Sequence, residues 1–165
     1  GDSALMVACR ANKNPAVAEA LVRHGADVNI RNGVACSAFM FAAHREDGLV
    51  LLRLLAESGA DVLAADASLS NALHTACSGQ GTLATVSFLL SVGLPVNGQN
   101  GKDFGAYSPL MLAVRNDSPD AEVIRLLLQQ GANPSLRDME GKRAGDDLSA
   151  ERITWLKQNG LEEIL

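Results

Sequence analysis

The sequence has few aromatic residues and no long apolar run. Hydrophobic residues make up 47% of its 165 residues, but only 4% are aromatic. The hydrophobic share is ample for a core and excludes a wholly disordered chain, whose signature is low hydrophobicity. Thin stacked layers can be filled by Ala and Leu, whereas a large single core usually needs more rings, so the composition favours repeats. No apolar run approaches the roughly 18 residues that cross a bilayer, so we expect no membrane span.

Cysteine is scarce, and its pattern excludes two kinds of site. Cys9, Cys36 and Cys77 form an odd set without a C-x-x-C pair, which fits neither a disulfide framework nor a zinc cluster. We therefore expect an intracellular, cytoplasmic protein. The sequence also lacks a Ser/His/Asp motif, a Gly-rich phosphate loop and metal-ligand spacing. It predicts no enzyme activity, no cofactor and no metal.

Basic residues are in the minority. The chain has 14 Lys and Arg against 19 Asp and Glu, a formal net charge of −5. This balance disfavours a globally basic nucleic-acid binder, although it permits a local basic surface. The chain opens on Gly1-Asp2-Ser3 rather than Met and shows no signal pattern there. We interpret it as part of a longer protein.

Two marks recur along the chain with one period. The first mark is a four-residue motif. Its third residues are spaced 34, 34 and 37 apart, and they are Leu5, Phe39, Leu73 and Leu110. The glycines of the second mark are spaced 34, 34 and 38. Two independent marks in one register indicate internal repeats. The second mark reads His24-Gly25-Ala26-Asp27-Val28-Asn29, Ser58-Gly59-Ala60-Asp61-Val62, Val92-Gly93-Leu94-Pro95-Val96-Asn97 and Gln130-Gly131-Ala132-Asn133-Pro134.

Each unit reads as a pair of helices and a connector. A Ser or Asn supplies an N-cap oxygen for a short first helix of small apolar residues, as at Ser37 and Asn71. A second start signal, clearest at Asn14-Pro15, precedes an apolar stripe, and glycine then ends the second helix. The following stretch is turn-rich and predicts a hairpin-like connector. One pair cannot bury its apolar faces alone, so neighbouring pairs must stack.

This pattern resembles the ankyrin repeat, a β-turn and two antiparallel helices with a Thr-Pro-Leu-His-x-Ala mark and a terminal Gly-Ala-Asp-x-Asn mark. The resemblance implies an all-α ankyrin-repeat solenoid of stacked helix-turn-helix units with β-hairpin-like connecting loops. The whole chain, 1–165, is expected to form one domain. Repeats are expected at about 1–31, 32–65, 66–99 and 100–137, and a degenerate C-terminal cap at 138–165.

The chain departs from the ankyrin pattern in its first mark. Only His74 keeps the histidine, and Met6, Met40 and Met111 replace it. At those three sites we expect packing in place of the polar cross-link that His makes in the family.

Further departures concern the fourth repeat and the two ends. Repeat four carries about three extra residues near 98–107. In the cap, Gly145 stands where a core Leu is expected, and Trp155 is expected to pack on repeat four. Repeat one starts at its own N-cap, which leaves room for an upstream repeat or capping segment.

The resemblance also implies where a partner binds. In ankyrin domains the concave surface is formed by the hairpin tips and by the two residues after the paired small residues of the inner helix. We expect a protein or peptide partner of unknown identity on this surface, and a monomeric chain. The residues that we predict to contact the partner are Arg10, Arg31, His44, Arg45, Phe104, Tyr107, Arg115, Asn116, Arg137, Met139 and Lys142.

The predicted concave set carries a different charge from the rest of the chain. Together with Asp2 and Glu140, which also lie at register positions of this surface, it holds six basic and two acidic residues, a net of +4, which leaves −9 elsewhere. This split predicts an acidic or phosphorylated partner segment. It also predicts that the double reversal of Arg45 and Arg115 to Glu abolishes binding while helical content stays intact. The alternative is a mixed surface whose arginines pair locally for little energy.

Three further points stay open at this level. Phe104 and Tyr107 in the lengthened hairpin could anchor a partner or fold back to staple the insertion. The domain could be an accessory or regulatory part of a larger enzyme outside this sequence. A third alternative is nucleic-acid binding through the basic residues of the predicted concave set. We rank it below the other functions, because the acidic remainder of the chain would repel a long polyanion.

Overall fold

The computed structural model describes residues 1–11 and 14–165, and over these residues the secondary structure is helical, without named strands. The inner helices are α1 (Ala4–Ala11), α3 (Ala38–Ala43), α5 (Ala72–Ser78) and α7 (Pro109–Arg115). The outer helices are α2 (Pro15–Arg23), α4 (Leu49–Glu57), α6 (Leu83–Ser91), α8 (Ala121–Gln129) and α9 (Ala150–Gln158). Short 3₁₀ turns lie at Lys102–Phe104 and Glu162–Ile164. Among the described residues, no helix is long and apolar enough to cross a membrane.

The helices form two layers, as predicted for a solenoid of helix pairs. In one layer α1 packs on α3, α3 on α5 and α5 on α7; in the other α2, α4, α6 and α8 follow in the same order. The connectors are hairpin-like, with isolated antiparallel bridges between Arg31 and Ser37 and between Ala65 and Asn71. The predicted all-α stack is therefore confirmed.

Helix starts follow the sequence marks. Side chains at the predicted N-caps Ser37, Asn71 and Ser108 accept backbone N–H bonds from the first turn. His74 is buried, and its Nε2 lies 3.0 Å from the carbonyl oxygen of Gly98, so it ties the first helix of repeat three to the connector at the end of that repeat. Burial opposes a charged imidazole, and the pKa of His74 is lowered.

The methionines that replace this histidine do more than pack. The Ser3 N–H donates to the thioether sulfur of Met6 at 3.4 Å, and the Ser108 N–H donates to that of Met111 at 3.5 Å. A thioether is a weak acceptor, so these bonds close the first turn as His74 does. The burial of Met6, Met40 and Met111 agrees with the expectation that packing mostly replaces the link made by His74 Nε2.

The glycine of the second mark ends each outer helix where the sequence predicts. Gly25, Gly59, Gly93 and Gly131 have φ between 84° and 97°, the left-handed region that favours glycine. The Asn that follows ties neighbouring repeats together. Asn29 donates to the Gly59 carbonyl at 3.0 Å and accepts the N–H of Asp61 at 2.7 Å, and Asn97 makes the same pair of bonds one interface further along.

The C-terminal cap consists of one outer helix without an inner partner. Leu156 of α9 is fully buried, and Trp155 is half-buried and packs against the core. Arg152 donates to the Val114 carbonyl at 2.8 Å and thereby fastens the cap to α7. Gly145 has a packing reason, because a Cβ there would lie 2.1 Å from the carbonyl oxygen of Ile164. The missing inner helix leaves room for the C-terminal turn.

Candidate interaction surface

Each hairpin is organised by an Asx side chain at its base. The Oδ1 atoms of Asn32, Asp66 and Asp138 each accept two backbone N–H groups, from the residues two and four positions further on, at 2.8–3.1 Å. These bonds close a tight loop. In two of the loops a residue other than glycine takes the left-handed conformation, Ala35 and Leu69, both at φ 59°.

Backbone hydrogen bonds join the tip of each hairpin to the next. The Ala67 N–H donates to the Val34 carbonyl at 3.0 Å, and the Gly101 N–H donates to the Ser68 carbonyl at 2.7 Å. The Met139 N–H completes the series with a 3.0 Å bond to the Gly105 carbonyl. The four hairpins therefore form one continuous edge along the stack.

Large apolar side chains stand on this edge, one on each hairpin. Val34, Leu69, Phe104 and Met139 are between 55% and 63% exposed, and we call these four residues the hairpin ridge. Phe104 and Met139 were predicted from the repeat register, but Leu69 was missed. A sequence signal for it exists, because the four residues are spaced 35 apart throughout.

The lengthened hairpin separates its two rings. Phe104 ends the 3₁₀ turn Lys102–Phe104 and is exposed. Tyr107 folds back over Gly105, where a Cβ would lie 2.2 Å from the ring, and the Arg115 guanidinium lies 5.3 Å from the ring centroid. The structure thus places Tyr107 within the insertion, although it was predicted to contact the partner. Of the two alternatives, the anchor fits Phe104 and the staple fits Tyr107.

Two predicted arginines lie on the hairpins and retain their charge at the surface. Arg31 is exposed and donates to the Ala65 carbonyl, and Arg137 is exposed and donates to the Gly141 carbonyl at 2.5 Å. Over residues 1–11 and 14–165, neither guanidinium forms an ion pair. A carbonyl partner leaves the net positive charge uncompensated.

Two other predicted basic residues are neutralised by nearby acids. Arg10 lies 2.7 Å from the Asp2 carboxylate, and its guanidinium carbon lies 5.3 Å from the Phe41 ring centroid. The Lys142 ammonium bridges Glu140 at 2.6 Å and Asp147 at 2.7 Å. Its pKa is raised by Asp147 first and by Glu140 second. The Lys142 pairs are solvent-exposed and contribute little to stability.

Arg45 belongs to the fold rather than to an open surface. Its side chain is 13% exposed and makes a two-pronged bond to Asp47, with both N···O distances at 2.6 Å. A third nitrogen donates to the Cys9 carbonyl at 3.2 Å. The guanidinium thereby links α1 to the loop after α3.

Arg115 is likewise held within the molecule. It donates to the Asp138 carboxylate at 3.0 Å and to the Arg143 carbonyl at 3.1 Å. The Asp138 side chain is almost wholly buried. Burial alone would raise the pKa of Asp138, but the Lys142 N–H and the Arg115 guanidinium, together with the Glu140 N–H, outweigh burial and lower the pKa. Arg115 therefore joins repeat four to the cap.

The last two predicted residues lie at a polar cleft between the helix ends of repeats two to four. Asn116 donates to the carbonyls of Cys77 and Gly79, at 3.0 and 2.9 Å. His44 is exposed, and its ring packs so closely on Gly79 that a Cβ there would lie 2.4 Å from Nδ1. The charged residues that line this cleft are acidic: Glu46, Asp117 and Asp120. This end of the predicted groove is therefore not basic.

Local pairing removes most of the predicted basic excess. Asp47, Asp138 and Asp147 lie outside the register set but pair with Arg45, Arg115 and Lys142. When these three acids are counted with the predicted concave set, the net charge of that surface falls from +4 to +1. The structure thus favours the alternative of a mixed surface, on which Arg31 and Arg137 form no ion pair with the other described residues.

Comparison with protein families agrees with the geometry. A family model of ankyrin repeats in three copies matches residues 39–138, and a single ankyrin repeat model matches residues 1–33. The chain belongs to the ankyrin repeat family. Ankyrin repeats are generally protein-protein interaction modules, and the family is typically non-catalytic.

The cysteines of this ankyrin domain behave as the register predicts. Cys9 and Cys77 are buried core residues. Burial raises the pKa of Cys9 to about 11 and that of Cys77 to about 12. Cys36 is half-buried, and burial together with the neighbouring Asp66 also raises its pKa. Raised values disfavour the nucleophilic thiolate, so none of the three thiols is activated.

Proposed function

We propose that this ankyrin domain is a non-catalytic interaction module that binds a segment of a partner protein along the hairpin ridge. The observation that carries the proposal is the ridge itself. Its four large apolar side chains are more than half exposed, and they stand on consecutive hairpins joined by backbone hydrogen bonds. A contiguous exposed apolar strip is a common mark of a protein-binding surface.

The rigidity of the edge favours binding. The Asx loops and the bonds between hairpins order the ridge before a partner arrives. A pre-organised surface loses little conformational entropy on binding, so more of the contact energy appears as affinity. Phe104 is the strongest candidate anchor of the four, because aromatic side chains dominate the energetics of many interfaces.

Arg31 and Arg137 define the expected charge of the partner. They lie on the first and last of the four hairpins and retain their positive charge. An acidic or phosphorylated residue near either end of the segment would accept charge-assisted bonds from them. The proposed partner is therefore an apolar segment with acidic or phosphorylated ends.

The test is a comparison of three proteins in affinity capture followed by quantitative mass spectrometry. The wild-type domain is compared with the double variant Leu69→Ser with Phe104→Ser and with a control, Val50→Ser with Leu63→Ser, which removes equally exposed side chains away from the ridge. We expect the ridge variant to lose the specific partner and the control to keep it. Purified partner should then bind the ridge variant at least tenfold more weakly, since each lost anchor costs about 1–2 kcal/mol.

Circular dichroism of all three proteins shows whether each is folded. Retention of the partner by a folded ridge variant, at wild-type affinity, would contradict the assignment.

A further inference from the structure

The hairpin ridge presents its side chains at a regular interval, and this interval restricts the shape of the partner segment. The inner helices pack in order along the stack, and packed helices lie about 8–10 Å apart. The hairpins agree with this value. Each hairpin contributes two chain segments, and hydrogen-bonded segments lie about 4.8 Å apart. The four ridge side chains, one on each hairpin, are therefore spaced about 10 Å apart.

A β-strand does not match this edge. All four N–H groups of the ridge residues already donate within the molecule, at 2.9–3.1 Å, so they are not free to bond an added strand. Their acceptors, from the first hairpin to the last, are the Asn32 side chain and the carbonyls of Asp66, Gly101 and Gly105. A strand also turns alternate side chains to opposite faces, so one face repeats about every 7 or 13 Å rather than every 10 Å.

Two other conformations return a side chain to the same face at about the right interval. A polyproline II helix does so at every third residue, about 9 Å, and an α-helix at every seventh residue, about 10.5 Å. Proline-rich segments dock in aromatic-lined grooves, whereas the ridge projects from the surface and Phe104 is its one aromatic side chain. An α-helix pairs its own backbone groups and needs only apolar side-chain contacts. The α-helix is therefore the better match.

The positions of two arginines set the length of the segment. Arg31 lies on the first hairpin and Arg137 on the last, and neither forms an ion pair within residues 1–11 and 14–165. These hairpins are three intervals apart, about 30 Å, which an α-helix of about 20 residues spans. Anionic side chains near both ends of such a helix can accept charge-assisted bonds from the two guanidiniums.

We propose, on the basis of the function proposed above, that the partner segment is an amphipathic α-helix of about 20 residues. It carries a large apolar residue at every seventh position and an acidic or phosphorylated residue near each end. Each apolar residue packs against one side chain of the hairpin ridge, and the anionic residues bind Arg31 and Arg137. A helix with its apolar residues six or eight positions apart turns successive residues away from the ridge.

The test is a selection from random peptides of about 25 residues displayed on phage, long enough to form such a helix. The wild-type domain and the ridge variant, Leu69→Ser with Phe104→Ser, are used in parallel, and circular dichroism shows that both are folded. We expect the peptides enriched on the wild type alone to carry large apolar residues seven positions apart and acidic residues toward both ends. A synthetic copy of such a peptide should gain helical circular dichroism signal when it binds the domain.

A matched pair of peptide variants tests the spacing itself. Exchanging one apolar residue of a selected peptide with its neighbour keeps the composition but breaks the seven-residue spacing, and it should weaken binding at least tenfold. Exchanging two neighbouring polar residues on the opposite face of the helix is the control, and it should change the affinity by about twofold or less. Titration calorimetry measures both.

Two outcomes would contradict the helical partner, and they differ in what else they exclude. Ridge-dependent peptides with apolar residues or prolines at every third position, and with no gain of helix, would show an extended partner and leave the proposed function standing. Peptides that bind the wild type and a folded ridge variant equally, or a selection that yields no binder, would contradict the proposed function as well. Val34→Ser with Met139→Ser replaces the ridge variant if that variant does not fold.

Discussion

The arginines at the ends of the inner helices and those on the hairpins are alike in sequence but differ in role. Arg45 and Arg115 lie in the predicted concave set, yet each holds two parts of the fold together through an acid and a backbone carbonyl. Arg31 and Arg137 donate to backbone carbonyls instead, and neither forms an ion pair within the part of the chain that the structure describes. The difference shows that a concave register position does not by itself keep an arginine out of the fold, because acids of the fold pair with Arg45 and Arg115.

This comparison changes the expected result of the Arg45 and Arg115 double reversal. The sequence predicts that it abolishes binding and leaves the fold intact. In the structure the reversal would place a second carboxylate beside Asp138 and another beside Asp47. We therefore expect the fold to weaken, so the double variant cannot serve as a test of the binding surface.

The largest effect is expected for Arg115→Glu alone. It removes the partner of the buried Asp138 carboxylate and adds a like charge, which should lower the free energy of unfolding by about 2–4 kcal/mol. Urea denaturation followed by circular dichroism measures the change. Arg137→Glu is the matched control, since its guanidinium is exposed, and it should cost less than about 0.5 kcal/mol. Equal losses for the two variants would remove the distinction between the two sets of arginines.

An intermediate effect on stability is expected when the pH is lowered, through the Arg143–Asp146 pair of the C-terminal cap. Arg143 donates to Asp146 and lowers the pKa of that carboxyl from 3.8 to about 2. A carboxyl with a depressed pKa contributes stability that is present above pH 4 and lost as the pH falls toward 2. Asp146→Asn should therefore lower the thermal midpoint at neutral pH, and the gap from wild type should close between pH 4 and 2.

Differential scanning calorimetry from pH 7 to 2 measures this gap. Asp103→Asn, on the hairpin of repeat four, is the control for loss of a carboxylate, because Asp103 forms no ion pair within residues 1–11 and 14–165. A gap between wild type and Asp146→Asn that stays constant down to pH 2 would show that the Arg143 pair contributes nothing to folding.

The smallest effect on stability is expected on the hairpins. Arg31→Gln with Arg137→Gln keeps side chains that can donate to the Ala65 and Gly141 carbonyls, so the unfolding midpoint should stay within about 0.5 kcal/mol of wild type. Affinity for an acidic or phosphorylated segment should nevertheless fall about five- to tenfold and lose much of its salt dependence. Titration calorimetry at two salt concentrations tests both expectations. An unchanged salt dependence would exclude these arginines from the interface.

The sequence predicts the layers of this molecule better than its surface. Period and helix caps are local properties, so the helix pairs, the glycine-ended helices and the structural role of His74 follow directly from the residues. The pairing of Arg115 with Asp138 joins residues from different repeats, and register alone does not reveal it. The fold-back of Tyr107 depends on the shape of an insertion that has no counterpart in the other repeats.

Two residues of the cap and ridge show the same limit. In the sequence, Gly145 looks like a loss of the repeat pattern. In the structure, the Ile164 carbonyl occupies the space that a side chain at this position would need. Leu69 stands one position away from the register set, so a family-based list passes over it. Its exposure follows from a local loop conformation that the period does not encode.

That loop conformation has a consequence for protein engineering, because stability and binding favour different residues at position 69. Ala35, Leu69 and Ala106 adopt φ angles of 53–59°, where the cap hairpin has Gly141 at φ 79°. A non-glycine residue there costs roughly 1 kcal/mol, so a stability screen would select glycine at all three positions. At position 69 the selected change would also delete a ridge side chain. Under the proposed function, the variant selected for heat resistance would therefore bind the partner more weakly.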